Sequence, residues 1–402
     1  MMVKIMNLII KAFRAFDFPL LLILLCFFGM GMMIMHSAVG GVEGRFARQL
    51  QNFVLAFAVM WVVAMIPVPK MMKLVTYLYG IGILMLVAVL LVGITNKGAT
   101  RWLGTGSLSI QPSEFMKLVV PMMLAWYFDK RRKELRTLDF IVAGALLGIP
   151  ALLIMKQPDL GTALLVIFSG FGVLYFAGMS FKLLTPAFIA LVVFLVLIIS
   201  YQTTLCAPDF DWVILHDYQK HRVCTLLDPS TDPLGKGFHT IQGMIAIGSG
   251  GIYGKGYMMG TQSHLNFIPE STTDFIFAVY AEELGLYGAI VLLLLYTLLI
   301  GRGFFIALKA KTLYGRLLAG ALTIMFFAYV FVNMGMVMGI LPIVGVPLPF
   351  MSYGGTALIT LGIASGMLMS IANYKPHKKD DEHIIGATGP GPAARYKRRL
   401  RH

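Results

Sequence analysis

Three carboxylates stand where long apolar runs begin. Asp274 closes the segment Pro269-Glu270-Ser271-Thr272-Thr273-Asp274, and the chain then stays apolar to Leu299 apart from Glu282 and Glu283. Glu114 and Lys117 follow Pro112 at a spacing of three, and Asp159 follows Gln157-Pro158 at the head of another apolar run. An acid in a first turn faces the positive helix end, and residues three apart share a face. Charges at membrane depth are costly and are functional by default. A carboxylate with cations beside it suits general-base chemistry on a substrate whose leaving group is a phosphate: the acid takes the nucleophile's proton while positive charge holds the departing oxygens. The cations in reach by sequence are Lys117, Arg101 of the Arg101-Trp102 pair, and Lys255 between Gly254 and Gly256.

Each acid also has a purely structural account. Ser271-x-x-Asp274 fits a capping-box start with Asp274 three residues into its helix, Asp159 fits an N-cap, and Glu114 with Lys117 fits a local ion pair. Capping and chemistry are compatible, so these accounts explain the positions without excluding function.

The elements that must position these groups are membrane helices. The 402 residues are 58% hydrophobic and 13% charged, more apolar surface than a soluble fold of this length can hide. Apolar runs predict an all-α polytopic membrane protein with about ten spans, at roughly 18–38, 50–68, 74–94, 112–128, 140–156, 160–178, 183–201, 272–299, 317–340 and 352–373. Most of the 33 Lys and Arg residues fall inside if both termini are cytoplasmic, as in the run Lys130, Arg131, Arg132, Lys133 and Arg136 and in the tail. The positive-inside rule therefore sets an N-in, C-in orientation. The net charge of +14 reflects that topology and anionic lipid headgroups, not nucleic acid.

Around the spans, residues 1–16 read as a short amphipathic segment on the inner surface, and 17–374 as the membrane domain. A large extracytoplasmic loop, 202–270, lies between the seventh and eighth spans, and 375–402 form a disordered cytoplasmic tail. The loop holds His216, His221, His239 and His264 without zinc-type spacing. It also holds Cys206 and Cys224; an oxidising compartment permits a bridge, and two free thiols fit the sequence equally. Gly339 to Gly355 is dense in Pro and Gly, as expected where backbone bends at an interface, and Asn333 reads as interhelical glue.

With this topology the spans headed by Glu114, Asp159 and Asp274 all run from outside to inside. If they are neighbours, acids alternate with positive helix ends at one outer site. That mixture suits a pyrophosphate, with or without a divalent cation such as Mg or Mn bound at Asp274. No Walker loop or dinucleotide fingerprint is present, so no nucleotide cofactor is expected and the substrate must arrive activated. A sugar on a lipid diphosphate meets that need.

The strings RWL (101–103), QPSEFMK (111–117), QPDLGTA (157–163), YQKHRVCTLLDP (218–229), GSGGIYGKGY (248–257), GTQSHLNFIPESTTDFIFAVYAEELG (260–285) and PFMSYGGT (349–356) resemble the SEDS family, in order and over roughly residues 15–375. The wording of the motifs is most similar to the RodA branch rather than its division-specific relative (FtsW). The resemblance implies ten spans and polymerisation of lipid II into glycan strands during elongation, on the outer face of the bacterial cytoplasmic membrane. It also implies a class B penicillin-binding protein and other elongation-complex proteins as partners. By the same resemblance, Asp274 in TDFIF is the central acid of glycosyl transfer. Trp102, Glu114, Lys117 and Asp159 line the outer cavity, and Arg48, Arg101, Arg222 and Lys255 are weaker candidates for phosphate or sugar contacts. The chain departs from the family at Ser271, Thr272 and near Leu226, and none of these touches the acid. The competing classes are a lipid-precursor flippase or transporter, which would place its decisive charges near the bilayer midplane, and a non-catalytic scaffold, which would tolerate loss of the outer acids.

Overall fold

The structure is a computed structural model, described for residues 15–40, 43–96, 99–104, 110–131, 135–179, scattered positions between 185 and 206, 224–225, 236–264 and 270–375. Residues 1–14, most of the expected span 183–201, most of the loop 202–235 including Arg222, and the tail from 376 lie outside the described residues.

The fold is helical, with one small hairpin. In chain order the helices are α1 (Phe18–Ala38), α2 (Glu43–Ala64), α3 (Val68–Val92), α4 (Pro112–Lys130), α5 (Thr137–Lys156), α6 (Leu160–Phe176), α7 (Lys236–Gly250), α8 (Thr261–His264), α9 (Ile276–Lys309), α10 (Leu313–Val337) and α11 (Gly355–Asn373). Strands β1 (Ile94–Asn96) and β2 (Ala99–Trp102) pair antiparallel between α3 and α4, an element the hydropathy pattern does not announce. Among the described residues seven helices (α1, α2, α3, α5, α9, α10 and α11) are long and apolar enough to cross a membrane, and α6 is a shorter apolar helix. Helix α4 coincides with the expected span 112–128, carrying Glu114 and Lys117 in its first two turns. The chain is an integral membrane protein.

Helix α10 is the centre of the assembly. Its apolar stretch is 83% buried, against 22–33% for α1, α2, α3 and α5. It packs on α4, α6 and α9, and small residues (Ala319, Gly320, Ala321, Ala328) let its neighbours approach closely. Helices α2 and α11 pair at one side, and α1 lies along α9. At the end of the molecule holding the start of α1, Asp17 caps that helix through Leu20 N (3.1 Å) and receives Nε (2.9 Å) and Nη2 (2.5 Å) of Arg302 from α9. That fork ties the two helices with charge-assisted bonds.

Helix α9 departs from the single span expected at 272–299. It begins at Ile276 and is broken at Gly285, where φ is +65°. The break orphans backbone groups that an apolar surrounding cannot solvate, and the residues after α7 supply the partners. Lys255 N and Gly256 N donate to the carbonyls of Glu282 and Glu283 (both 3.0 Å), while Leu286 N and Tyr287 N donate to Gly251 O (2.9 Å) and Ile252 O (3.0 Å). Part of the region expected to be an extramembrane loop is thus helical and packed on α9. The portion from Leu286 to Lys309 is about 36 Å long at ~1.5 Å per residue, enough to cross the ~30 Å hydrocarbon core alone.

Gly285 and Gly254 face each other at this crossing. A Cβ on Gly285 would lie 2.6 Å from Ile252 O and closer still to Gly254 N, and one on Gly254 would collide with the Glu283 carbonyl. Gly285→Ala is therefore expected to cost about 2 kcal/mol or more, from left-handed strain plus backbone collision. Gly80→Ala, where an added Cβ meets nothing within 4 Å, is expected to leave stability unchanged or raise it by up to ~1 kcal/mol. Thermal unfolding of the two detergent-solubilised variants checks the contrast.

Candidate functional site

Asp274 is half-buried in a turn, not inside a helix. Helix α9 starts at Ile276 with Phe275 as its N-cap, so the capping-box expectation, which put Asp274 three residues into the helix, is corrected. The turn forms upstream: Thr273 N and Phe275 N bond to Glu270 O (3.0 and 3.3 Å), and Thr273 Oγ1 donates to the Glu270 carboxylate (2.9 Å). The Pro/Gly-rich connection between α10 and α11 then clamps it. Tyr353 N donates to Thr272 O (2.8 Å), and Ser352 Oγ donates to Thr273 O (2.6 Å). Gln49, buried at the start of α2, donates to Ser352 O (3.1 Å). From α10, Asn333 Nδ2 donates to Asp274 O (2.9 Å) and Val346 O (2.7 Å).

The second half of the site is the head of α4. Lys117 is 1% exposed, bonded to Glu114 Oε1 at 2.5 Å and to the Tyr329 hydroxyl of α10. Its ammonium also lies 5.0 Å from the Tyr329 ring centroid, within cation–π range. Asp159 is the N-cap of α6, accepting from Thr162 N (3.3 Å), as its position predicts. It does more than cap. Gln111 Nε2 (2.8 Å) and Ser113 Oγ (3.2 Å) from the start of α4 both donate to it, and Arg101 Nη1 stands 3.7 Å away. Arg101 also donates to Pro158 O, so the hairpin, α4 and α6 meet at Asp159. Trp102, at the end of β2, is half-buried where that strand packs on α3 and α4.

The helices that follow the three acids do not all pack on one another. Helices α4 and α6 pack on each other and on α10, and α9 also packs on α10. The junction is the segment 344–346: a Cβ on Gly161, two residues past Asp159, would meet Val344 O at 2.7 Å, and one on Gly345 would sit 3.5 Å from Asp274 Oδ2. One short stretch of chain thus separates the Asp159 end of α6 from the Asp274 carboxylate. Tyr329 and Asn333, one helical turn apart on α10, bond to the Lys117 ammonium and to the Asp274 carbonyl respectively.

Two of the weaker cation candidates, Lys255 and Arg48, are bonded elsewhere. Lys255 is committed to buried Glu282 (2.6 Å), whose Oε1 also accepts from Thr261 N (2.9 Å) and Gln262 N (3.0 Å). This is a lock on the α9 break, two turns beyond Asp274. Nearby, Ser37 donates to Glu283, and His36 Nδ1 lies 2.9 Å from the Tyr257 hydroxyl. Burial and the Glu283 charge push the Tyr257 phenol above its ordinary range. Arg48 is exposed and bonded locally to Gly44 O (3.2 Å); its neighbour Gln49 is the residue turned into the site. Cys206 and Cys224 are joined in a disulfide. Tyr329, Gln49 and Ser352 went unnoticed in the sequence because a single polar residue in an apolar or Gly/Pro-rich run carries no spacing signal.

The site combines a carboxylate in a clamped turn with an enclosed ammonium on the same supporting helix. A family model described as cell cycle protein (FtsW, RodA, SpoVE) matches residues 16–377. The chain belongs to this family. It is 46% identical over 359 residues to the peptidoglycan glycosyltransferase MrdB of Escherichia coli K12, covering 89% of this chain and 94% of that one. The peptidoglycan glycosyltransferase RodA of Treponema pallidum is 33% identical, with 90% and 98% covered. Among solved structures, a chain from a peptidoglycan synthase complex that coordinates polymerization and crosslinking aligns with a TM-score of 0.75 at 29% identity, over 90% of this chain and 99% of that one. The FtsW/RodA/SpoVE assignment thus covers both halves of the site and the α10 frame between them.

Among the described residues no group of three or more His, Cys, Asp or Glu side chains could hold a metal ion. Magnesium is commonly held through one or two carboxylates with phosphate oxygens and water completing its shell, and Asp274 could supply one such carboxylate.

The buried ion pair yields a stability test. Glu114→Gln strips Lys117 of its counter-charge and is expected to cost about 3 kcal/mol, whereas Glu114→Gln combined with Lys117→Met should recover most of that. Unfolding midpoints of the single and double variants report the difference.

Proposed function

We propose that this chain is a SEDS-type peptidoglycan glycosyltransferase that polymerises lipid II into glycan strands in cell elongation. The observation that carries the reading is the pairing of Asp274, held in a rigid turn, with enclosed Lys117 in the frame of α10, in a chain whose relatives bear that enzymatic name. In this reading ten spans cross the cytoplasmic membrane with both termini inside, a large loop stands outside between the seventh and eighth, and the site opens on the outer face. That orientation rests on the basic residues of the inner segments.

The mechanism is an inverting displacement. Asp274 accepts the proton of the acceptor 4-hydroxyl as that oxygen attacks the anomeric carbon of the donor. The bond from that carbon to the diphosphate oxygen breaks, and its electron pair leaves with undecaprenyl diphosphate. Lys117, with Arg101 behind it on Asp159, supplies positive charge to the leaving group as charge develops there. A divalent cation bound through Asp274 would neutralise diphosphate charge; the protein residues keep the same places. A class B penicillin-binding protein is the partner that cross-links the product, a proposal supported by the similarity to a chain of a synthase complex.

Glycan-strand synthesis from purified lipid II, with transpeptidation blocked, tests this. Asp274→Asn is expected to lose about 10²- to 10⁴-fold, the range for a general base, and the stable Glu114→Gln/Lys117→Met variant should be inactive as well. Inhibition of the wild type by EDTA would assign Asp274 to a cation, and insensitivity would assign it to proton transfer. Equal polymer from wild type and Asp274→Asn would move the chemistry elsewhere. Absence of polymer from the wild type, with the partner supplied, would favour a flippase.

A further inference from the structure

Asn333 does more than join two helices. The protons of one carboxamide go to two backbone carbonyls, Asp274 O at 2.9 Å and Val346 O at 2.7 Å. Both lie in irregular segments: the turn before α9, and the connection between α10 and α11. The side chain is 0% exposed, so water cannot take its place. Two carbonyl acceptors also fix its orientation, because only the NH₂ end can donate to them.

The other described bonds to this turn behave differently. Ser352 Oγ and Tyr353 N hold Thr273 O and Thr272 O, but both belong to the connection, which is itself irregular. Asn333 links the turn to a membrane helix, and that helix carries Tyr329, the partner of Lys117, one turn away. Without Asn333 the turn would stay attached to the connection while losing its direct bond to α10.

We propose that Asn333 is a positioning residue for the reaction, setting the Asp274 carboxylate at a fixed height relative to the Lys117 ammonium. The inference rests on the reading of Asp274 as the group that acts on the acceptor. A displacement near 1 Å from the productive geometry costs about 10²-fold, so the effect should be kinetic before it is structural.

The test uses the full chain in detergent with four variants: Asn333→Leu, which keeps the volume and loses the donors; Asn333→Gln, which keeps the donors; Asp274→Asn; and Gly80→Ala as a neutral control. Amide hydrogen exchange over 270–278 and polymer synthesis from lipid II are measured on monodisperse protein. Asn333→Leu is expected to exchange faster at Thr273 to Phe275 while α10 is unchanged. Its kcat should fall about 10- to 100-fold with KM within about twofold, and Asn333→Gln should recover part of that. Unchanged exchange in the turn together with wild-type kcat overturns the proposal. So does faster exchange throughout α10 with a lowered unfolding midpoint, which assigns Asn333 to packing. If the wild type makes no polymer or Asp274→Asn matches it, the parent reading fails, while exchange still decides whether Asn333 holds the turn.

Discussion

The site depends on backbone carbonyls that lie outside regular structure and must still be satisfied in an apolar setting. A helix satisfies its own groups; a turn such as 270–275 does not. Here the solution is to borrow donors from side chains and from a second irregular segment. Asn333, Ser352 and Tyr353 serve the carbonyls of Asp274, Thr273 and Thr272 in that order. Three donors from two other segments thus hold three successive carbonyls of the turn, which restricts the freedom of the carboxylate it carries. Preorganisation of this kind is what a catalytic acid or base needs.

The same constraint explains the break in α9. Gly285 interrupts the ladder, and the Gly251–Gly256 stretch restores it from outside with two donors and two acceptors. The arrangement is costly in sequence terms, since it demands glycine at both 254 and 285, where backbones come too close for a Cβ. In return, the short first part of α9 below Asp274 is braced by the segment that follows α7, and the Lys255–Glu282 pair closes the brace with a buried charge-assisted bond. Lys255 is thus part of the brace on the α9 break.

Helix α10 links these devices. It is the most enclosed of the candidate spans, and its polar residues are few, yet Tyr329 and Asn333 each meet a group from a different part of the chain. Lys117 arrives from α4 with its own counter-ion, Glu114, and needs one further acceptor. Asp274 arrives in a turn that needs one further donor. A single helix face meets both needs.

The amino-acid sequence by itself determined the membrane class, the placement of most helices, the acids at their heads and the family, because hydrophobic runs, Pro at helix starts and ordered motifs are local signals. It placed Asp159 correctly as a cap and Glu114 with Lys117 correctly as a pair, since both are relations of three or four residues. It misplaced the start of α9 by treating Ser271 and Asp274 as a capping box, and it read through the break at Gly285, because one glycine in an apolar run looks the same whether the helix continues or not. It did not reveal that Gln49 rather than Arg48 bonds to the connection before α11, or that Lys255 pairs with Glu282, because those partners lie 303 and 27 residues away. Only the tertiary structure decided that Asp274 and Lys117 share one helix as their reference. The bonds that make it so run from Asn333 to Asp274 and from Tyr329 to Lys117, over separations at which no local pattern in the chain survives.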